Sequence, residues 1–431
     1  MKQLDIRKDI ATRKYHKTKR IFYMIYRYVM KIVGRKYNAT FTKVDNIKDC
    51  KGPCFVIFNH LSRIDHFYTN EITYPKRVNM IAGYSEFFRS HLHFAFKHNN
   101  VLPKKNYATD FVGTKAMMSI IKQGGSISFA PEGLASNDGM AKPIVPNTGA
   151  MLKKFGIPVY FVELRGQYLQ NTKVCLDVRR GKTFAKISLL FSKEDLERLS
   201  GEEIDDIIND HIYHDEYKWQ KEQHIKWETN GRICENLDYL LYRCPKCGSE
   251  FNMEANGDYI KCKSCGNGAT MDDYYDFHPF DDTCVIPELV SDWVNQERID
   301  IIKKIRKDEN FSYSVRVKLG MLPNDHYIQD KQLSEIVSSG TITIDHSGMH
   351  YKDDNDEKYN FDLNYKLLFT TFTELDSKSM DVYVNGEFYD FYPEQNSVIY
   401  MNMLIEEMHR LHVNYYKNFK QNAYMYENLD D

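Results

Sequence analysis

A histidine and an aspartate stand five positions apart in Asn59-His60-Leu61-Ser62-Arg63-Ile64-Asp65, directly after the apolar run Phe55-Val56-Ile57-Phe58. An imidazole beside a buried carboxylate is held in one tautomer and can take a proton from a hydroxyl. Alone, such a pair is more often a solvated or core histidine. A second block sharpens it: Phe129-Ala130-Pro131-Glu132-Gly133-Leu134-Ala135-Ser136 follows another β-prone run, Ile127-Ser128-Phe129. The other chemistry-bearing pattern is Cys244-Pro245-Lys246-Cys247 with Cys262-Lys263-Ser264-Cys265. Two short thiolate knuckles suit one tetrahedral zinc, and Gly248 and Gly266, directly after each knuckle, permit the turns that aim both sulfur pairs at one ion. Four thiolates leave no open coordination position, so this zinc ribbon is a folding staple and not a catalytic centre. Two disulfides are the competing reading; the chain has no secretory signal pattern and its remaining cysteines are scattered.

The paired blocks resemble the glycerolipid acyltransferase family. Asn59, His60, Ser62 and Asp65 match its first block, and Pro131-Glu132-Gly133 with Ser136 match its third. Thr148-Gly149-Ala150 with Phe155-Gly156-Ile157-Pro158-Val159 is similar to the fourth. The resemblance implies transfer of a fatty acyl group from acyl-CoA or acyl carrier protein to a lysophospholipid hydroxyl, lysophosphatidate foremost. His60 would then be the base and Asp65 its orienter, with Asn59, Ser62, Glu132 and Gly133 in contact with substrate. Glu132 has two readings, a bond to the acceptor hydroxyl or a lock on a neighbouring loop. Gly133, lacking a Cβ, gives the backbone close access to substrate.

Two departures from the family bear on the acceptor. Leu134 and Ala135 stand where many members carry threonine and arginine, which removes one cation for a glycerol phosphate. The second block, which usually carries an arginine, reads Asn100-Val101-Leu102-Pro103-Lys104-Lys105, so Lys104 and Lys105 must serve if phosphate is bound. A non-phosphorylated lipid acceptor is the alternative. A third reading keeps the fold but makes the chain a non-catalytic lipid- or protein-binding scaffold.

The elements that must position these residues alternate in type. Apolar strand-like runs at Cys54–Phe58, Asn79–Gly83, Ile127–Ala130, Val159–Leu164 and Ala185–Phe191 are separated by helical stretches. Strands spaced by helices predict an α/β fold with a largely parallel sheet, in which His60 and Glu132, each following a strand, meet where clefts form. Ser200 with Glu203 predicts a capped helix that closes the domain.

At 431 residues and 42% hydrophobic content the chain can bury more than one core. The expected division is a basic amphipathic helix (1–37), an acyltransferase domain (38–235), the zinc ribbon (238–275) and a small β-rich C-terminal domain with a terminal helix (285–431). In the last, Val382-Tyr383-Val384-Asn385-Gly386-Glu387-Phe388-Tyr389 predicts a hairpin on an Asn-Gly turn. Strands followed by one terminal helix resemble a pleckstrin-homology-like barrel in outline.

The net charge of −2 hides a polarity. Residues 1–37 hold twelve Lys or Arg against Asp5 and Asp9, whereas from 338 onward seventeen acids face seven bases. Such a split argues against a nucleic-acid partner and for one end seeking an anionic surface. Ile21, Ile25, Tyr28 and Ile32 recur at helical spacing with Arg20, Arg27 and Lys31 opposite, an interfacial pattern; a helix packed on the protein itself is the competing reading. The uncharged run Ile21 to Tyr26 is far too short to span a bilayer. The expected location is therefore cytoplasmic and peripheral, on the inner face of the cell membrane.

Overall fold

The computed structural model describes residues 5–105, 107–108, 110–328 and 333–413. The chain opens on two helices, α1 (Ile6–Thr12) and α2 (Arg20–Gly34). There follow β1 (Asn38–Lys43), β2 (Phe55–Phe58), α3 (Asp65–Thr73), β3 (Val78–Gly83), α4 (Ser90–Asn99), β4 (Leu102–Lys104), α5 (Phe111–Lys122) and β5 (Ser126–Phe129). Then come α6 (Thr148–Phe155), β6 (Val159–Arg165), α7 (Gln167–Gln170), β7 (Lys182–Phe191), α8 (Lys193–Arg198), α9 (Gly201–Ile212) and α10 (Glu216–Gln223). The seven strands form one sheet in the order β1-β7-β6-β2-β5-β3-β4, with every pairing parallel except β6 with β7. Central β2 is buried along its whole length, which is why its sequence reads as an unbroken apolar run rather than an alternating one. The capping box of Ser200 and Glu203 starts α9, and Ser192 with Asp195 makes a second one on α8.

The ribbon is a four-stranded antiparallel sheet of β8 (Met253–Asn256), β9 (Tyr259–Cys262), β10 (Gly268–Met271) and β11 (Phe277–Pro279), in the order β11-β10-β9-β8. Helix α11 (Val290–Lys307) leads into a second seven-stranded sheet, built of β12 (Ser312–Met321), β13 (Glu335–Asp345), β14 (Gly348–Asp353), β15 (Phe361–Leu363), β16 (Phe372–Thr373), β17 (Met380–Val384) and β18 (Glu387–Pro393). Its order is β15-β14-β13-β12-β18-β17-β16 and all its pairings are antiparallel. The β17–β18 hairpin turns at Asn385 and Gly386, both with positive φ (52° and 82°), as a type I′ turn requires. Helix α12 (Val398–Val413) packs against this sheet and against α11. The final residues of the expected C-terminal domain, 414–431, lie outside the described residues.

The three parts share one core. A continuous cluster of buried apolar side chains runs from Tyr68 and Ile187 through Trp227, Ile260 and Trp293 to Phe391 and Leu404. Polar bolts accompany it: the buried Arg179 guanidinium donates to the Tyr275 hydroxyl (2.6 Å) and the Ile233 carbonyl (2.9 Å), and that hydroxyl donates to the Leu169 carbonyl (2.7 Å).

Candidate active site

Strands β2 and β5 are parallel neighbours, so the loops leaving their C-terminal ends emerge side by side. The first loop carries His60 and ends in α3, whose first residue is Asp65. His60 Nδ1 lies 2.8 Å from Asp65 Oδ2. Because a carboxylate only accepts, Nδ1 carries the proton and Nε2 is left with its lone pair. Asp65 is itself held. Oδ2 accepts from the backbone N–H of Leu61 (2.7 Å) and Ser62 (2.9 Å), and Oδ1 from the Ser62 hydroxyl (3.1 Å), at the positive end of α3. Its side chain is 1% exposed against 28% for His60, so the pair has a fixed, buried end and an open end.

Of Asn59 and Ser62, both expected in contact with substrate, Ser62 lines the cavity described below, and both side chains bond to the scaffold. The Asn59 side chain spans to Leu164 on β6, donating to its carbonyl (3.0 Å) and accepting from its N–H (2.8 Å). Ser62 serves Asp65 as described. Glu132 is buried, and of its two readings the geometry displays the loop lock: Oε2 accepts from the His60 backbone N–H (2.6 Å) and Oε1 from that of Lys142 (3.4 Å). Burial pushes the Glu132 carboxyl up to about 8 against the pull of those two N–H groups. The His60 carbonyl also accepts from Ser136 N–H (2.9 Å), so the histidine's backbone is clamped on both sides by the second loop. Gly133 has φ +77° and lines the cleft, and a Cβ there would approach Val145 Cγ2 to 2.9 Å.

His60 faces a cavity of about 690 Å³. Its lining is apolar over Tyr23, Tyr26 and Met30 of α2, Met80 of β3, and Leu92 and Phe96 of α4. It also carries the charged side chains Glu86, Arg89, Lys104 and Lys173, with Glu374 and Asp381 from the C-terminal unit. Burial lowers the Lys173 ammonium to about 8, and burial together with Glu374 raises Asp381 well above the usual carboxylate range. Lys104 lies 4.0 Å from Asp110. Lys105 does not line the cavity: its ammonium donates to the Gly386 carbonyl and sits 4.7 Å from the centre of the Tyr84 ring. Sequence reasoning missed Arg89, Lys173, Glu374 and Asp381, which stand in no motif and reach the cavity only through long-range packing.

The four cysteine sulfurs lie within 4.8 Å of one another. Cys244 and Cys265 are 3.7 Å apart and Cys247 and Cys262 3.8 Å. Zinc–sulfur bonds of about 2.3 Å in a tetrahedron put the sulfurs about 3.8 Å apart, so the donor set fits zinc in size and chemistry. The knuckles fold alike: Gly248 N–H bonds to the Cys244 carbonyl and Gly266 N–H to that of Cys262, each at 2.9 Å and each glycine at positive φ. Asn267 donates to Cys244 Sγ (3.7 Å), a neighbouring bond of the kind that steadies thiolate ligands.

Fold and site together define an α/β domain with a carboxylate-oriented histidine at the mouth of a cleft. Residues 38–164 match the family model described as Acyltransferase. Among curated proteins, the chain is similar to the chloroplastic 1-acyl-sn-glycerol-3-phosphate acyltransferase BAT2 of Brassica napus, 26% identical over 132 residues, which cover 30% of this chain and 38% of that protein. Among solved structures it is similar to the 1-acyl-sn-glycerophosphate acyltransferase PlsC of Thermotoga maritima, at 17% identity and a TM-score of 0.36, covering 44% of this chain and 78% of that one. The chain thus spans under two fifths of the curated relative's length.

Proposed function

We propose that the protein is an O-acyltransferase that moves a fatty acyl group from a thioester, acyl-CoA or acyl carrier protein, to the free hydroxyl of a lysophospholipid, with lysophosphatidate the favoured acceptor. The observation that carries this reading is the His60–Asp65 pair on a cavity lined by both apolar and charged side chains. The acceptor oxygen attacks the thioester carbonyl carbon while His60 Nε2 takes the hydroxyl proton and Asp65 steadies the imidazolium. The ester C–O bond forms, the C–S bond breaks, and the proton passes from His60 to the departing thiolate. No protein nucleophile is needed. The apolar lining suits an acyl chain, and Lys104, which lines the cavity, suits an acceptor phosphate, whereas Lys105 bonds to the Gly386 carbonyl.

No described helix is long and apolar enough to cross a membrane. The route to lipid is instead α2. Tyr23, Tyr26 and Met30 line the cavity, while Ile21 (64% exposed), Ile25 (55%) and Tyr28 (68%) form an apolar strip on its outer face beside Arg20 and Lys31. We read this strip as a peripheral contact with an anionic bilayer. In the ribbon, Cys244, Cys247, Cys262 and Cys265 would hold a structural zinc.

A second acceptor class is favoured by Glu86, Glu374 and Asp381 in the cavity lining, since carboxyl groups suit hydroxyl-rich acceptors without phosphate. Mass spectrometry of products from acyl-CoA and a panel of acceptors with and without phosphate separates the two. Lysophosphatidate should give the diacyl product, and Lys104→Ala should raise its KM with kcat nearly unchanged. Turnover confined to non-phosphorylated acceptors would replace the leading reading with the second.

A further inference from the structure

The loop that clamps His60 is held from the far end of the chain. Helix α12 presents Asn402 and Glu406, one turn apart and so on one face, to the segment 137–142. Asn137 Nδ2 donates to Asn402 Oδ1 (3.2 Å) and to the Thr373 hydroxyl (3.2 Å). The Lys142 ammonium donates to both oxygens of Glu406 (3.1 and 3.0 Å). Glu406 also accepts from Arg298 of α11 (2.8 Å) and from the Thr370 hydroxyl (2.8 Å), and Arg298 reaches Glu407 as well (2.9 Å). All of these side chains are buried. Burial alone would raise the Glu406 carboxyl, but Lys142, Arg298 and Arg410 outweigh it and hold the group ionised.

The chain of bonds continues to the histidine. The Lys142 backbone N–H donates to Glu132, Glu132 accepts from the His60 N–H, and Ser136, next to Asn137, donates to the His60 carbonyl. The same C-terminal unit lends Phe372, Thr373, Glu374, Asp381 and Tyr383 to the cavity wall. A buried ion pair is costly to assemble, and one partner left alone costs more, so seatings of this loop that separate Lys142 from Glu406 are disfavoured.

We propose that Glu406, seconded by Asn402, is a positioning residue for His60, so that α12 and its sheet are part of the catalytic unit and not an appended module. This rests on the acyltransferase reading only for its kinetic readout. Small displacements of a catalytic group cost rate more than binding, so the expected signature is a loss in kcat with KM preserved.

The test uses the full-length protein. Glu406→Gln keeps shape and removes charge. Lys142→Met with Glu406→Met replaces the pair by apolar groups, a change that tends to spare stability. Arg316→Ala, removing the surface pair with Asp354, serves as control. We expect Glu406→Gln and the double methionine variant to lose about tenfold or more in kcat with acceptor KM within about twofold. The Arg316→Ala control should stay near wild type. In parallel, the His60 imidazole 15N resonances, read without substrate, should move in Glu406→Gln and in the double methionine variant and not in Arg316→Ala. Unmoved His60 resonances in Glu406→Gln and in the methionine pair would overturn the proposal, as would wild-type kcat in both. A wild-type protein inactive on every lysolipid, with His60 resonances that still follow Glu406, would support the brace and count against the activity instead.

Discussion

At the scale of single residues, the site is an arrangement of bonds that, among the described residues, leaves His60 Nε2 without a protein partner. Asp65, Glu132 and Ser136 are committed to holding the imidazole and its backbone. Glu132 makes a testable contribution to stability. Its carboxyl is raised to about 8 by burial, so the folded state binds a proton that the unfolded state has already released above its ordinary value of about 4.3. Stability contributed by this group is therefore full at low pH and is lost as pH rises toward and through about 8. Glu132→Gln, which cannot ionise, should flatten the fall in urea midpoint between those limits; an unchanged pH slope would show that Glu132 is ionised in the folded protein throughout. His60 and Asp65 were legible in the sequence because five positions on one loop suffice to bring them together. Lys104 and Lys105 were not separable, because only the fold says that the first lines the cavity and the second bonds to the β17–β18 turn.

At the scale of elements, strand identity was readable wherever a strand is buried on both faces, as in β2, and the capping box announced α9. Edge strands such as β1, largely exposed, carry no such signal. Helix α2 was read as amphipathic, and it has two apolar faces, one on the cavity and one on solvent, which periodicity alone does not distinguish from a single broad stripe. Ile25→Glu with Tyr28→Glu should weaken sedimentation with anionic liposomes, and binding should fall with added salt, since each basic residue near such a surface contributes about 1 kcal/mol. Full sedimentation of this variant would place the lipid contact elsewhere. The ribbon was legible from spacing, because four thiolates and two glycines state their geometry locally. Elemental analysis should find one zinc per chain, and Cys247→Ser should lower the melting temperature. Because the ribbon shares its core with both neighbours, the loss should be felt in a single transition. Zinc-free protein with an unchanged melting temperature would contradict this.

At the scale of the whole molecule, the parts suggested by composition are joined by a common core and by buried polar links such as Lys142 to Glu406, 264 positions apart. Nothing in the sequence marks such a link, since a lone lysine and a lone glutamate are ordinarily surface residues and no local period relates them. The C-terminal sheet therefore looked separable in the sequence and stands in the structure as one wall of the cleft. We propose that His60, oriented by Asp65, takes the proton of a lipid hydroxyl as it attacks a thioester. This is tested by turnover of radiolabelled acyl-CoA with lysophosphatidate by wild type, His60→Ala and Asp65→Asn, each checked for an unchanged fold. Wild type should give a diacyl product, His60→Ala should lose about 100-fold or more in kcat, and Asp65→Asn should lose substantially. Wild-type turnover in folded His60→Ala would contradict the proposal.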